Sequence, residues 1–142
     1  MSLSVADKIE ISELLNKFCH LSDYCDYEAL KNLYVDKPRH IIEGVGTYDD
    51  PAWAIEHARW SEKATGGKNR HVVTNLWIEG SGDKAEAHYF LINIFAGHKP
   101  MEPQLVATFR TRDSVVRTPQ GWRIAERYLV PDQPFEMEGG GV

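Results

Sequence analysis

The second half of the chain is dominated by strand-forming segments that follow one another with no helical pattern between them. These segments are rich in valine, isoleucine, threonine and aromatic residues. Ser81-Gly82-Asp83 and Pro119-Gln120-Gly121 are typical of hairpin turns, and 99–103 is a looser, proline-bounded connection. Because strands joined by short turns pair antiparallel, the pattern predicts a meandering antiparallel sheet. Its strands are expected at 71–79, 84–97, 104–118 and 122–130.

The first helix is predicted to begin at Ser4, which forms a capping-box pattern with Asp7. Apolar residues then recur at helical spacing as far as Phe18, so one face of this helix is expected to be buried. Asp23 lies at the edge of this stripe, where the buried face of the helix meets the part of the protein that it packs against.

Two further helices are predicted before the strands begin. Asp26 is expected to cap the second helix, which runs through Tyr34 until Pro38 ends it. Residues 39–43 are predicted to form a short strand. Asp50-Pro51 is typical of a helix start, with a capping carboxylate followed by proline at the first helical position, and it predicts the third helix.

Helices followed by a long run of strands indicate an α+β fold in which the helices close one face of a curved sheet. A chain of 142 residues with 42% hydrophobic residues is the size of one domain with a real core. We expect a single domain over residues 1–131 and a flexible tail over 132–142, which has three consecutive glycines just before its last residue.

The charge pattern argues against several classes of partner. The formal net charge is −5 and basic residues are interspersed with acidic ones, which does not predict a nucleic-acid surface. No apolar run approaches the ~20 residues that cross a bilayer, and the first residues do not resemble a secretory signal. A cytoplasmic location is therefore expected. Cys19 and Cys25 have neither zinc-site nor disulfide-framework spacing.

Five stretches, in this order and spacing, resemble the SnoaL-like branch of the nuclear transport factor 2-like superfamily. They cover nearly the whole chain. The stretches are FCHLSDYCDYEALKNLY at 18–34, IEGVGTYDDPAWAI at 42–55, RHVVTN at 70–75, GDKAEAHYFL at 82–91 and GWRIAERYL at 121–129.

The resemblance implies a cone-shaped α+β barrel in which a curved antiparallel sheet and three helices enclose a deep apolar pocket. Members of the superfamily include scytalone dehydratase, hexachlorocyclohexane dehydrochlorinase, polyketide cyclases, ketosteroid isomerase and the small subunits of ring-hydroxylating dioxygenases. Such a fold defines a pocket without defining one reaction. The 42–48 run and the spacing of 48 residues between Asp23 and His71 are most similar to the dehydrochlorinase.

Asp23 and His71 are the candidate catalytic residues. An imidazole takes up a proton near neutral pH, and a carboxylate bonded to its other nitrogen fixes the tautomer and stabilises the imidazolium. In the resembled lyases a histidine and an aspartate at these motif positions have those roles. The structural alternative is a core histidine with its polar atoms satisfied and an aspartate that starts a turn.

Five further residues are candidates for binding substrate. Asn75 would offer an amide, and Tyr89 is preferred to His88 because it shares a strand face with small apolar residues. In the dehydrochlorinase an arginine on a late strand assists the leaving group, and the resemblance points to Arg117, with Arg112 as the alternative. Trp53 and Tyr34 are candidates for an aromatic pocket mouth. Aromatic residues at such positions are more often part of the core, and Trp53 is the preferred candidate of the two. These candidates are Asn75, Tyr89, Arg117, Trp53 and Tyr34.

The leading hypothesis is a cofactor-independent lyase that acts on a small hydrophobic substrate. The same proton abstraction would serve an isomerase or a cyclase, while a ligand-binding module or a dioxygenase small subunit would use the fold without this chemistry. The histidines show no metal-ligand spacing and no glycine-rich phosphate loop follows a strand, so neither a metal nor a cofactor is expected. The resemblance also implies a homo-oligomer, either a dimer or a trimer.

Overall fold

The computed structural model describes residues 1–133, which form three helices and six strands. The helices are α1 (Val5–Asp23), α2 (Tyr27–Lys31) and α3 (Trp53–Thr65). The strands are β1 (Tyr34–Ile42), β2 (Gly46–Tyr48), β3 (Asn69–Ser81), β4 (Lys84–Lys99), β5 (Glu102–Thr118) and β6 (Gly121–Pro131). None of the three helices has the length and apolar content that a bilayer-spanning helix requires.

All six strands join one curved sheet in the order β2-β1-β6-β5-β4-β3. The predicted meander from β3 to β6 is confirmed, and its neighbouring strands pair antiparallel. β1 pairs with β6 in parallel, so the sheet is mixed rather than wholly antiparallel. The α+β class is confirmed, and over the described residues the sheet stays open instead of closing into a barrel.

α1 is fixed at its start as the sequence predicts. The Ser4 hydroxyl accepts a hydrogen bond from the Asp7 amide at 3.0 Å, and the Asp7 carboxylate accepts one from the Ser4 amide at 3.0 Å. This reciprocal pair satisfies two backbone amides that have no hydrogen-bond acceptor within the helix. The apolar stripe of α1 is buried against the sheet, where the helix packs on β3 and β6.

The second helix is shorter than predicted, because it ends at Lys31 and the chain enters β1 at Tyr34. Pro38 lies inside this strand, at the irregular step of the β1–β6 pairing between Tyr34 and Arg39. A proline is tolerated there because an irregular step does not need its missing amide hydrogen. The expectation that Tyr34 is helical is therefore wrong.

The third helix begins at Trp53, two residues after Pro51, the predicted first helical position. Asp50 still organises the start, since its carboxylate accepts a hydrogen bond from the Ala52 amide at 2.9 Å and its carbonyl accepts one from Trp53 at 3.0 Å.

The first two residues of the predicted flexible tail are in contact with the sheet. The Asp132 carboxylate accepts a hydrogen bond from the Thr108 hydroxyl at 2.8 Å, and Gln133 accepts one from the Thr108 amide at 3.1 Å. The rest of the predicted flexible tail, 134–142, lies outside the described residues.

Candidate active site

Asp23 and His71 are in direct contact. Asp23 is the last residue of α1, and His71 lies near the start of β3. One carboxylate oxygen of Asp23 is 2.5 Å from His71 Nδ1, and the other accepts a hydrogen bond from the His71 backbone amide at 2.8 Å. The two side chains are 7% and 3% exposed, so this pair is shielded from solvent.

This contact determines which ring nitrogen of His71 is available as a base. A carboxylate accepts hydrogen bonds and cannot donate one, so Nδ1 carries the proton of the neutral ring. Nε2 is then left with its lone pair. The ring of Phe18 packs edge-on against the imidazole at a centroid distance of 5.4 Å, which restricts its orientation further.

His71 borders a small internal cavity of about 40 Å³ between the sheet and the helices. That volume holds about one or two water molecules, so a larger ligand requires the walls to move. Most of the wall is apolar. The aromatic and polar side chains in it are Phe18, Ser22, Tyr34, His40, Trp53, His57, His71 and Arg127.

A much larger cleft of about 1020 Å³ lies outside this cavity, against β1, α3 and the β5–β6 turn. Its lining includes Asp36 and Arg123 but neither Asp23 nor His71, so its size does not make it the candidate active site. Tyr34 and Ala54 border both spaces, and they therefore form part of the wall between the cavity and the surface.

A buried guanidinium, that of Arg127, occupies one side of the cavity. Its Nε donates to Asp113 at 3.1 Å and its Nη2 donates to the Tyr89 hydroxyl, while that hydroxyl donates to Asp113 at 2.7 Å. The guanidinium carbon is 3.7 Å from the centroid of the Phe18 ring. All three members of this network are at most 3% exposed.

The network holds Arg127 in its charged form. Burial by itself lowers the pKa of Arg127, but the Asp113 carboxylate, together with Tyr89 and Tyr34, outweighs burial and raises that pKa well above its usual value. Burial also raises the pKa of Tyr89, so its hydroxyl stays protonated. The cavity therefore has one fixed positive charge in its wall.

Sequence reasoning did not find Arg127. The alternation of Trp122 and Ile124 would place Glu126 inward, but the β5–β6 register skips Ala125 and shifts the alternation by one residue. This bulge turns Arg127 toward the interior together with Leu129. The available signal was that Arg127 and Leu129, two residues apart, share one face of the strand.

The two arginines that the sequence suggested as substrate-binding candidates lie elsewhere. Arg117 is at the surface, 2.8 Å from Asp7 and 3.1 Å from Asp83, with its guanidinium over the Trp122 ring. Arg112 stacks over the ring of Tyr128, and neither arginine lines the cavity. The structure thus places Arg127, rather than Arg117 or Arg112, beside His71 in the cavity wall.

Asn75 lies outside the cavity because of a second bulge. The β3–β4 register is irregular between Thr74 and Trp77, and Asn75 has a left-handed φ of 56° there. Its side chain is exposed and accepts a hydrogen bond from the Thr74 hydroxyl at 2.9 Å. Strict alternation along a strand would place Asn75 and Trp77 on the same face as His71. The bulge reverses this, so that Leu76 packs on the core while Trp77 is exposed.

The aromatic candidates divide into two groups. Tyr34 and Trp53 line the cavity, and Trp53 stacks on Tyr48 with ring centroids 4.6 Å apart. Tyr89 points inward but is engaged by Arg127 and Asp113 instead of lining the cavity. His88 lies on the outer face of the sheet, where it stacks on Trp77.

His40 is a second residue that sequence reasoning passed over. It is 3% exposed in β1 and lines the cavity. Neither of its ring nitrogens has a hydrogen-bond partner among residues 1–133. Burial, followed by the positive charge of Arg127 and then His57, lowers the pKa of His40 from 6.5 to about 3. Its imidazole is therefore neutral at physiological pH.

One group of side chains within residues 1–133 brings three candidate metal-ligating atoms within 4.8 Å of one another. It consists of Glu79, Glu86 and His88 on the outer face of the sheet, and none of the three lines the cavity. Their mutual contacts of 3.1 Å and 3.6 Å already pair the histidine with both carboxylates.

The SnoaL-like domain family matches residues 4–128, which is most of the chain. This chain belongs to the SnoaL-like family. The resemblance seen in the sequence is thereby confirmed. An uncharacterised protein of Mycobacterium tuberculosis is 25% identical over 127 residues, which are 87% of this chain and 84% of that relative.

Solved structures show the same fold at low identity. A nuclear transport factor 2-like protein with a cystatin-like fold from Novosphingobium aromaticivorans has a TM-score of 0.82 at 22% identity, covering 92% of this chain and 85% of that one. A candidate dehydratase of the nuclear transport factor 2-like family from Streptomyces avermitilis has a TM-score of 0.76 at 15% identity, covering 91% and 98%. At this identity the likeness concerns the fold.

Removing the carboxylate that compensates Arg127 should destabilise the fold strongly. We expect Asp113→Asn to lower the free energy of unfolding by about 3–5 kcal/mol, because it leaves a buried cation without its anionic partner. Asp83→Asn removes an exposed partner of Arg117 and should cost less than about 1 kcal/mol. Urea denaturation at pH 7 measures both, and similar losses in the two variants would contradict this account of Arg127.

The buried neutral His40 should make the fold sensitive to acid. Because the pKa of His40 is about 3 in the folded chain and 6.5 when exposed, only the unfolded chain takes up this proton as the pH falls from 6.5. Stability is thus complete above pH 6.5 and declines below it, by on the order of 3 kcal/mol at pH 4. Denaturation of wild type and His40→Leu at pH 7 and pH 4 tests this, and an identical acid loss in both proteins would contradict it.

Proposed function

We propose that this chain is a cofactor-independent lyase that removes a proton from a small hydrophobic substrate and expels water or halide. The observation that carries the proposal is the contact between Asp23 and His71 Nδ1 in the wall of an internal cavity. A buried base that is oriented by a carboxylate and borders a cavity is the arrangement that general-base catalysis requires.

In the proposed reaction, His71 Nε2 takes the proton from a carbon of the substrate. The electron pair of the broken C–H bond forms the new double bond, and the leaving group departs from the adjacent carbon with its own bonding pair. Asp23 stabilises the imidazolium that forms, because its carboxylate is 2.5 Å from Nδ1. The proton then passes from His71 to the departing hydroxide or to solvent.

The charge on Arg127 supports an elimination in which negative charge develops on the substrate. A fixed cation in a cavity of low polarity stabilises such charge more than water does, because it needs no reorganisation. Its compensation by Asp113 holds the guanidinium in place. This is the role that the resemblance to the dehydrochlorinase assigns to a late-strand arginine.

A substrate larger than water requires the cavity to widen. The half-buried Trp53 and His57 are stacked on each other on α3, with centroids 4.8 Å apart, and we propose that they move to admit it. Tyr34 and Ala54, which separate the cavity from the large outer cleft, mark the shortest route to the surface.

The alternative is an isomerase or cyclase in the same cavity, in which the abstracted proton returns to the product or a new carbon–carbon bond forms. The likeness to a candidate dehydratase favours the lyase by analogy alone. A non-catalytic binding module would use the cavity without needing the Asp23–His71 contact.

Replacing the proposed base should abolish turnover. We expect His71→Gln to reduce the rate by about 10²–10⁴-fold, which is the usual contribution of a general base. Asp23→Asn should also reduce it, because the amide can donate to Nδ1 and so place the ring proton on Nε2. The assay follows enone absorbance with β-hydroxy ketones and chloride release with chlorinated cyclohexanes.

His88→Gln is the matched control, since it alters a histidine on the outer face of the sheet and should leave the rate unchanged. A His71→Gln variant that retains the wild-type rate would contradict both the lyase and the isomerase proposals. Tight binding of panel compounds without any turnover would favour the binding module.

Homo-oligomerisation is a further expectation, and the outer face of the sheet supports it. Val72, Trp77, Phe90 and Leu105 are large apolar residues that are 38–63% exposed on β3, β4 and β5. A continuous apolar area on a sheet is typical of an interface. We expect light scattering after gel filtration to give a dimer or trimer, and a monomer at micromolar concentration would contradict this.

A further inference from the structure

Among residues 1–133, His40 is a fully enclosed polar side chain of the cavity with unused hydrogen-bonding groups. Its ring lies between Tyr34 and Trp53, with centroid distances of 5.4 Å and 4.7 Å. Both ring nitrogens are completely buried and have no partner in residues 1–133. Buried polar atoms are nearly always hydrogen-bonded, so this ring is suited to a partner that comes from outside the chain.

The surroundings of His40 determine what such a partner can be. Arg127 is its neighbour across the parallel β1–β6 pair, and His57 faces it from α3. A positive charge on the imidazole is disfavoured by Arg127 and by burial, so the ring is neutral. A neutral imidazole has one donor and one acceptor, and this pair matches a hydroxyl or, through its donor alone, a carbonyl.

We propose that His40 binds an uncharged oxygen of the ligand, and that the substrates of this site are small apolar compounds carrying a hydroxyl or carbonyl group. The role of His40 in the reaction rests on the proposed function, whereas its role in binding an oxygen does not. A hydrogen bond from His40 to a substrate carbonyl would acidify the neighbouring C–H bond that His71 attacks. Oxygenated substrates that lose water then suit the site better than haloalkanes, which offer His40 no hydrogen-bonding oxygen.

Phenol and toluene form the probe pair, because they differ by a hydroxyl in place of a methyl group. We expect wild type to bind phenol about tenfold more tightly than toluene, as measured by NMR titration, since one buried hydrogen bond is worth about that factor. His40→Leu should lose this preference and favour toluene, because the phenol hydroxyl would then be buried without a hydrogen-bond partner. His40→Gln keeps a donor and an acceptor and should retain the preference, as should His71→Gln.

The outcomes separate this proposal from the proposed reaction. Equal binding of the two probes by wild type, or binding of neither, would overturn the role of His40, as would a phenol preference that survives in His40→Leu. A preference lost in His71→Gln but kept in His40→Leu would assign the oxygen site to His71. Since no turnover is measured, a chain without lyase activity still gives a clear answer.

Two further measurements guard against a folding defect. His40→Leu should unfold at the same urea concentration as wild type at pH 7, or a higher one, because it replaces an imidazole that has no hydrogen-bond partner in the described part of the chain. In wild type, addition of phenol should shift the ¹⁵N resonances of the His40 ring. Unshifted ring resonances at saturating phenol would overturn the proposal whatever the variants do.

Discussion

The buried charge of Arg127 is the constraint that ties the interior of this fold together. A guanidinium inside a protein is tolerated only with an anionic partner and filled hydrogen bonds, and here Asp113 on β5 and Tyr89 on β4 provide them. Phe18 on α1 covers the face of the cation. One side chain of β6 thus fixes the relative positions of two other strands and the first helix.

The same charge determines the chemical character of the cavity. Burial and then the charge of Arg127 keep His40 neutral, and the same charge favours any ligand that gains negative charge. His71 lines the same cavity, and its ring and backbone amide hold the Asp23 carboxylate. The cavity therefore combines an oriented base with a fixed cation. Side chains of its wall must move before a ligand larger than water can contact both.

Much of this arrangement could be predicted from the sequence, because it depends on local patterns. The capping box of α1 and the β3–β6 meander follow from short-range signals, and the approach of Asp23 to His71 followed from the family resemblance. The parallel pairing of β1 with β6 could not be predicted, since no local pattern encodes which distant strand lies alongside. The bulges at Asn75 and Ala125 were also hidden, because one extra residue reverses the face of every side chain beyond it.

Arg127 was missed because the bulge at Ala125 turns it inward, and His40 because it lies next to Arg127 only through the pairing of β1 with β6. That pairing also bears on the order in which the molecule is built. The hairpins from β3 to β6 join segments that are close in sequence, whereas His40 and Arg127 become neighbours across most of the chain. During synthesis the cavity therefore cannot exist until β6 has emerged from the ribosome, when nearly all of the described chain has been made. Up to that moment the α1 face and the inner sheet surface are exposed apolar areas, and this is the stage at which the chain depends most on protection from aggregation.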